Sequence, residues 1–109
     1  MHDAVVAFDM TSGKIQWISQ VSENDVWNGS CRLPNRSSLV CPDADAPDAD
    51  FASSPILADF NGRQIIIAGN KAGMLYALDP DKRGSMIWKQ STGKGSASGG
   101  IMWGSSVDG

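Results

Sequence analysis

The 109-residue sequence predicts an all-β fold, and more specifically a fragment of a β-propeller built from four-stranded antiparallel blades. One motif occurs twice, as "VVAFDMTSGKIQW" at residues 5–17 and "LYALDPDKRGSMIW" at 75–88, with one extra residue in the second turn. Four consecutive short strand candidates lie within residues 54–91, and no stretch has a convincing helical period. One complete four-stranded sheet flanked by partial ones is typical of a propeller.

Each copy of the motif is predicted to form a β-hairpin. An apolar strand ends in Ala-x-Asp, a turn containing glycine follows, and a second strand ends in tryptophan. The aspartate can accept hydrogen bonds from turn amides, the glycine supplies a positive φ, and the tryptophan buries a large face on a neighbouring sheet. The matching residues are Asp9, Gly13 and Trp17 in the first copy and Asp79, Gly84 and Trp88 in the second. We expect both tryptophans to dock between blades.

The segment between the copies adds two strands to the second hairpin. "SPILADF" (54–60) and "QIIIAGN" (64–70) are joined by an Asn-Gly turn, which is a strong short-range signal for a hairpin. The strands of this blade are predicted at residues 55–60, 64–69, 74–79 and 86–90. A small sandwich or barrel made from the same strands is the alternative, but it does not need repeated units at this spacing.

The chain divides into four parts on this basis. They are the last two strands of one blade (1–20), a long loop (21–53), one complete blade (54–91), and a turn with the first strand of the next blade (92–109). Repeat units bury their faces on neighbours, and roughly three or more are needed for stability. We therefore expect the chain to be a fragment that folds poorly alone and whose Met1 need not be a natural start.

Charge and composition argue against nucleic-acid binding and against a membrane span. The net charge is −3, and the nine Lys and Arg residues form no dense basic patch. No apolar run approaches the roughly 18 residues that a membrane helix needs. The first ten residues also lack the pattern of a signal peptide.

The two cysteines, Cys31 and Cys41, lie in the long loop. An even count at short spacing, flanked by Pro and Asn, predicts a loop-closing disulfide and an oxidising compartment, with free thiols in a cytosolic protein as the alternative. Two cysteines cannot complete a structural zinc site, and the single histidine, His2, is distant in sequence.

The string "CPDADAPDADFASSP" (41–55) contains Pro-Asp-Ala-Asp twice. From composition alone, the first interpretation is a solvated acidic spacer, and the alternative is the acidic wall of a site. The first copy, with Asp43 and Asp45, is expected to be spacer. The second copy, with Asp48 and Asp50, stands directly before a predicted strand.

The motif resembles the tryptophan-docking repeat of pyrroloquinoline quinone (PQQ)-type propellers. That family includes the quinoprotein alcohol dehydrogenases and non-catalytic outer-membrane assembly lipoproteins, so the repeat indicates the fold without separating enzyme from scaffold. The segments "DVWNGSC", "CPDADAPDADFASSPILADFNG" and "GGIMWGSSVDG" resemble most closely the polyvinyl alcohol dehydrogenase branch of the quinoproteins.

The resemblance implies roles for three residues. In catalytic members an Asp-x-Asp precedes a strand that begins near a proline and continues with Ala-Asp, and residues 48–59 keep that spacing. Asp48 matches the catalytic aspartate, which accepts the hydroxyl proton and lies at the metal, and Asp50 matches a second residue of the metal shell. Lys71 in "GNKAGMLYALD" matches the basic residue that contacts the quinone oxygens. A surface lysine in a turn is the alternative for Lys71.

The implied cofactors are PQQ and Ca²⁺ or another hard metal ion. Trp103 is expected to line the cofactor pocket, because the preceding double glycine permits close backbone approach. Asp25, Trp27 and Asn28 form a second polar and aromatic cluster that could reach the site, although structural packing is the preferred role for Trp27.

The leading hypothesis is therefore part of a periplasmic or secreted PQQ-dependent dehydrogenase that oxidises alcohol groups, such as those of polyvinyl alcohol or other secondary alcohols. Its expected partners are the alcohol, an electron acceptor such as a cytochrome c, and the remaining blades. The competing hypothesis is a non-catalytic propeller that acts as a protein-interaction scaffold. Family enzymes take further metal ligands, a Glu and an Asn, from earlier blades, so we expect the fragment alone to be inactive.

Overall fold

The computed structural model describes residues 3–23, 25–96 and 98–108, which form two antiparallel sheets. One sheet pairs β1 (Ala4–Phe8) with β2 (Ile15–Gln20). The other has four strands in the order β3-β4-β5-β6, with the bounds Ile56–Phe60, Arg63–Gly69, Met74–Asp79 and Ser85–Ser91. The all-β prediction is confirmed, and each strand of this blade agrees with its predicted bounds to within one residue.

The remaining regular structure in the described ranges is two short 3-10 turns, Gly29–Arg32 and Pro80–Lys82. Among the same residues, no helix is long and apolar enough to cross a membrane.

Both copies of the motif fold as the predicted hairpin, and their turns share one hydrogen-bonding scheme. In each copy the aspartate carboxylate accepts hydrogen bonds from two turn amides, and the backbone carbonyl of the same aspartate accepts one from the glycine N–H. The alanine two residues before the aspartate pairs with the tryptophan on the neighbouring strand. The carboxylate of Asp9 accepts from Thr11 at 3.2 Å and Ser12 at 2.7 Å, and that of Asp79 from Asp81 at 3.1 Å and Lys82 at 3.3 Å. The two glycines have φ of +69° and +71°, and the facing pairs are Ala7 with Trp17 and Ala77 with Trp88.

Trp17 joins the two sheets. Its ring lies against Gly84 in the turn of the second copy, where an added β-carbon would stand 2.5 Å from Trp17 Cζ3. The ring also packs against the core, which combines Val5 of β1 with Ala68, Tyr76 and Leu78 of the second sheet. The predicted docking of Trp17 between consecutive units is therefore what the structure shows.

Trp88, the equivalent tryptophan of the second copy, is 40% exposed. It lines a surface cavity of about 510 Å³ together with Val107 and Asp108. Within the described residues it meets no glycine turn like the one that receives Trp17, so its docking on a following blade stays a prediction.

Residues 98–108 contain no strand in the structure, although the sequence predicts the first strand of a next blade there. A strand needs a neighbour to complete its ladder of hydrogen bonds, and this segment instead folds back on the β4–β5 turn. Ile101 N–H donates to Asn70 O at 3.0 Å, and Gly100, at φ +75°, packs directly on Lys71 O. The double glycine thus allows a close backbone approach to Lys71, and a strand formed here beside a following blade stays a prediction.

Candidate functional site

The site is built around Lys71, which the β4–β5 turn presents to the acidic string. Its Nζ donates to Asp50 Oδ2 at 2.6 Å and to Asp48 Oδ1 at 3.1 Å. The side chains of Lys71 and Asp48 are 16% and 7% exposed, whereas that of Asp50 is 57% exposed. The structure therefore brings together the three residues that the sequence singles out, with Asp48 on the inner side and Asp50 facing solvent.

The turn that carries Lys71 is held by Asn70, a residue that sequence reasoning missed. Asn70 is fully buried, its Oδ1 accepts the N–H of Met74 at 3.1 Å, and its Nδ2 donates to Tyr76 Oη at 3.4 Å. Gly73 then turns the chain with a φ of +75°. The spacing Asn-x-x-Gly before β5 is the sequence signal for this turn, because asparagine can bond turn amides and glycine tolerates a positive φ.

The backbone also fixes Lys71 against the acidic string. Lys71 N–H donates to Asp50 O at 3.0 Å, and Ser96 N–H donates to Lys71 O at 3.1 Å. Both the main chain and the side chain of Lys71 thus contact Asp50, so the turn and the acidic string are joined at two points.

Burial raises the pKa of Asp48 above its ordinary value, and the adjacent Asp50 carboxyl raises it further, while Lys71 acts in the opposite direction. The pKa of Lys71 is also raised, chiefly by its hydrogen bond to Asp50. The ammonium therefore stays charged, and Asp48 holds a proton more readily than an exposed aspartate does.

Two further aspartates, Asp3 and Asp25, lie behind this group, and both are buried. Asp25 Oδ2 accepts the N–H of Ala49, the residue between Asp48 and Asp50, at 2.6 Å. The pKa of Asp3 is raised to about 7, first by burial and then by Asp25. Its Oδ2 is buried and has no hydrogen-bond partner in the described part of the chain.

Three of these carboxylates are close enough to share one cation. Asp3, Asp25 and Asp50 each offer an oxygen, and these oxygens lie within 4.8 Å of one another. Two oxygens bound to one Ca²⁺ at about 2.3–2.6 Å are at most about 5 Å apart, so this spacing fits a hard ion. Asp48 is outside this trio. Sequence reasoning missed Asp3 entirely and placed Asp25 only in a neighbouring cluster.

The Lys71 group opens on a cavity of about 550 Å³, a size typical of small-molecule clefts. Its other wall comes from the long loop, with Trp27, Asn28, Leu39 and Val40 among the lining residues. A second cavity of about 390 Å³ shares Trp27 and Asp48 with the first and continues to Ala72 and Ser96. Asp48 therefore contacts both cavities.

Comparison with known proteins matches this segment to dehydrogenases. The chain is 40% identical over 108 residues to a polyvinylalcohol dehydrogenase of Pseudomonas sp and 34% identical over 107 residues to one of Sphingopyxis sp. (strain 113P3), in each case over 97% of the chain. Over 76 residues, 70% of the chain, it is 33% identical to a probable quinate dehydrogenase (quinone) of Xanthomonas campestris pv. juglandis. The chain is similar to a segment of these dehydrogenases.

The chain spans 16% of the length of the polyvinylalcohol dehydrogenases and 8% of that of the quinate dehydrogenase. No protein-family model matches it, and no solved structure matches it. The match to the two polyvinylalcohol dehydrogenases covers nearly the whole chain, and therefore the long loop as well as the blades.

The predicted disulfide is present in the structure. Cys31 and Cys41 are bonded, both are buried, and no described cysteine is free. Asn28 ties the bridged loop further, since its Oδ1 accepts Ser30 N–H at 2.9 Å and its Nδ2 donates to Val40 O at 2.8 Å. The bridge thus fixes the wall of the cavity that faces Lys71.

The two other tryptophans of interest differ in position. Trp27 is half-buried, lies 5.2 Å from the Arg32 guanidinium, and lines both cavities, so it combines packing with a place at the site. Trp103 is 84% exposed and is not a lining residue of either cavity. Its contact with a cofactor stays a prediction. Asp43 and Asp45 are exposed, as expected for a spacer.

Proposed function

We propose that this segment forms the acid–base side of the active site in a longer quinone-dependent dehydrogenase that oxidises alcohol groups. The observation that carries the proposal is the buried Asp48 paired with Lys71 at the junction of two cavities. Relatives named as polyvinylalcohol and quinate (quinone) dehydrogenases support the same reaction class.

In this proposal Asp48 is the general base. As an alcohol is oxidised, the hydroxyl proton passes to the Asp48 carboxylate while the carbinol hydrogen leaves with its electron pair. A general base works best when its pKa approaches the operating pH, and burial moves the pKa of Asp48 in that direction. Lys71 keeps the carboxylate oriented through its 3.1 Å hydrogen bond. When a substrate enters, the ammonium can donate to the substrate oxygen in place of Asp48.

The cofactors we propose are PQQ and Ca²⁺ or another hard metal ion. The bound quinone would supply the two-electron acceptor for the reaction. Lys71 would face the quinone oxygens with a fixed positive charge, and Asp48 and Asp50 would face the ion. The residues present fit such a group, because the Lys71 ammonium and the Asp48 and Asp50 carboxylates line one cavity, and an oxygen of Asp50 lies within 4.8 Å of oxygens of Asp3 and Asp25.

The proposed substrates are secondary alcohols, with polyvinyl alcohol first among them. The wide cavity beside Trp27 and Asp48 leaves room for a substrate that is larger than a simple alcohol. A periplasmic or secreted location and a cytochrome c as electron acceptor complete the proposal. The disulfide supports an oxidising compartment, since such bonds persist mainly there.

The test is oxidation of a secondary alcohol by the full-length protein reconstituted with PQQ and Ca²⁺, followed with an electron-accepting dye. Asp48→Asn should lower kcat by about 10²-fold or more, the share that a positioned base contributes. Asp43→Asn is the matched control, because Asp43 opens the first, exposed copy of the same Asp-Ala-Asp string and should leave kcat unchanged.

Undiminished activity in Asp48→Asn would rule out the base assignment. A reconstituted full-length protein that binds no quinone and oxidises no alcohol would instead favour the non-catalytic scaffold.

A further inference from the structure

We propose that Asp25 is a positioning residue that sets where Asp48 and Asp50 stand relative to Lys71. The inference rests on the proposed function, in which Asp48 is the base. Asp25 Oδ2 accepts the N–H of Ala49 at 2.6 Å across a separation of 24 residues. Asp25 is 5% exposed and Ala49 4%, so water cannot readily replace this hydrogen bond. A short hydrogen bond in a buried place, where water does not compete, is among the stronger hydrogen bonds in proteins.

This hydrogen bond holds Ala49, the residue that separates the two candidate aspartates. Asp48 and Asp50 flank Ala49, and their carboxylates reach the same Lys71 Nζ at 3.1 and 2.6 Å. On the other side, Asp50 O accepts Lys71 N–H at 3.0 Å. The string is therefore held at two backbone points, by Asp25 at the Ala49 amide and by Lys71 at the Asp50 carbonyl.

Loss of either point would let the string shift relative to Lys71. A displacement of about 1 Å at a reacting group can lower a rate by about 10²-fold. Asp25 is not among the hydrogen-bond partners of Lys71 in the described structure, nor among the residues that line the two cavities. Asp25 therefore reaches this group in two ways, through the backbone of Ala49 and through the carboxylates of Asp3 and Asp50, whose oxygens lie within 4.8 Å of its own.

Two substitutions separate the hydrogen bond from the charge. Asp25→Asn keeps an oxygen that can accept the Ala49 N–H and removes the negative charge, whereas Asp25→Ala removes both. The matched control is Asp79→Ala. Asp79 is also a buried aspartate that accepts backbone amides, but it lies at the opposite end of β5 from Lys71, roughly 16 Å along the strand.

The experiment uses the full-length protein with two readouts, steady-state kinetics of the reconstituted enzyme and hydrogen exchange of the Ala49 amide without cofactor. Asp25→Ala should lower kcat by about 10²-fold with less change in KM, and should speed exchange at Ala49. Asp25→Asn should keep kcat within about tenfold and keep the Ala49 amide protected, which a charge or metal-ligand role would not predict. Asp79→Ala should reduce stability and leave the kcat of the folded enzyme within twofold.

Three results would overturn the proposal. They are rapid exchange of the Ala49 amide in the unsubstituted protein, a kcat in Asp25→Ala within twofold of normal, or a loss in Asp25→Asn as large as that in Asp25→Ala. The first result needs no variant, so it decides even where Asp25→Ala does not fold. If Asp48→Asn is inactive and Asp25→Ala is normal, only the positioning role fails, whereas an active Asp48→Asn removes the proposed function itself.

Discussion

The contact between Trp17 and Gly84 gives a sharp test of how consecutive units of this fold are joined. Gly84→Ala would place a β-carbon 2.5 Å from Trp17 Cζ3 and 2.9 Å from Ser19 Cβ, at a residue whose φ is +71°. An alanine in the left-handed region costs about 1–2 kcal/mol, and overpacking of a close contact costs about 1–3 kcal/mol more. We expect Gly84→Ala to lower the free energy of unfolding by about 2–5 kcal/mol.

Gly13→Ala is the matched control for this substitution. Gly13 holds the same position in the first copy of the motif, with φ of +69°, but a β-carbon there meets nothing within 4 Å. It should cost only the backbone strain, about 1–2 kcal/mol. Urea unfolding of the full-length variants, followed by circular dichroism, measures both values.

A double substitution completes the test. With Trp17→Ala in place, Gly84→Ala should cost less than it does beside the ring, because only the backbone strain and the 2.9 Å approach to Ser19 Cβ then remain. Equal losses in Gly84→Ala and Gly13→Ala in the presence of Trp17 would refute the reasoning, since the strain would then account for everything and the docking contact for nothing.

Three further predictions concern the loop, the buried acid and the isolated chain. Replacing Cys31 and Cys41 by serine should lower the free energy of unfolding by about 2–3 kcal/mol, and a reductant should do the same to the unsubstituted protein but not to the variant. The pKa of Asp3 is raised from 3.8 to about 7, so the folded protein holds a proton there that the unfolded chain has lost. Without added cations, the free energy of unfolding should therefore fall as the pH rises from about 4 to about 7, by at most on the order of 4 kcal/mol. Asp3→Asn should flatten that dependence in urea titrations. The isolated 109-residue chain should melt broadly by calorimetry, and a sharp, cooperative transition in a monomeric sample would contradict this.

Most of the fold could be predicted from turn residues and short strand patterns along the sequence. The Asn61-Gly62 turn and the strands on either side determine the β3–β4 hairpin, and the Asp and Gly of each motif determine the β1–β2 and β5–β6 turns. These signals act over a few residues, so they can be recognised without tertiary information. The partner of Trp17 could not be recognised in this way, because Gly84 lies 67 residues further along the chain and only packing brings them together.

The predicted strand in residues 99–109, unlike these turns, cannot be determined by local residues alone. Its sequence has the apolar residues of a strand, but a strand forms only beside another strand that can complete its hydrogen bonds. Here the Gly99-Gly100 pair carries the chain onto the backbone at Lys71, and Ile101 N–H bonds to Asn70. Secondary structure in this segment therefore depends on its neighbours, which the residues themselves do not specify.

The part of the candidate site that could be predicted from the sequence lies within one continuous segment. Asp48, Asp50 and Lys71 could be selected because the resemblance to quinoprotein dehydrogenases implies roles for residues at these positions before β3 and β5, and the structure joins them through one ammonium. Asp3 and Asp25 come from two other segments, before β1 and after β2, and no spacing rule links them to the acidic string. Only the antiparallel pairing of β1 and β2 and the return of the long loop bring these carboxylates to the others.

Charge balance explains why the two buried aspartates matter to the whole group. Four carboxylates, those of Asp3, Asp25, Asp48 and Asp50, surround one ammonium, so negative charge is in excess. Protons can supply part of the missing positive charge, and the raised pKa values of Asp3 and Asp48 reflect this. A hard cation among Asp3, Asp25 and Asp50 would supply it instead, and protons and cation would then compete for the same oxygens. Because Asp50 belongs both to this trio and to the Lys71 pair, either outcome is transmitted to the candidate base through a single carboxylate.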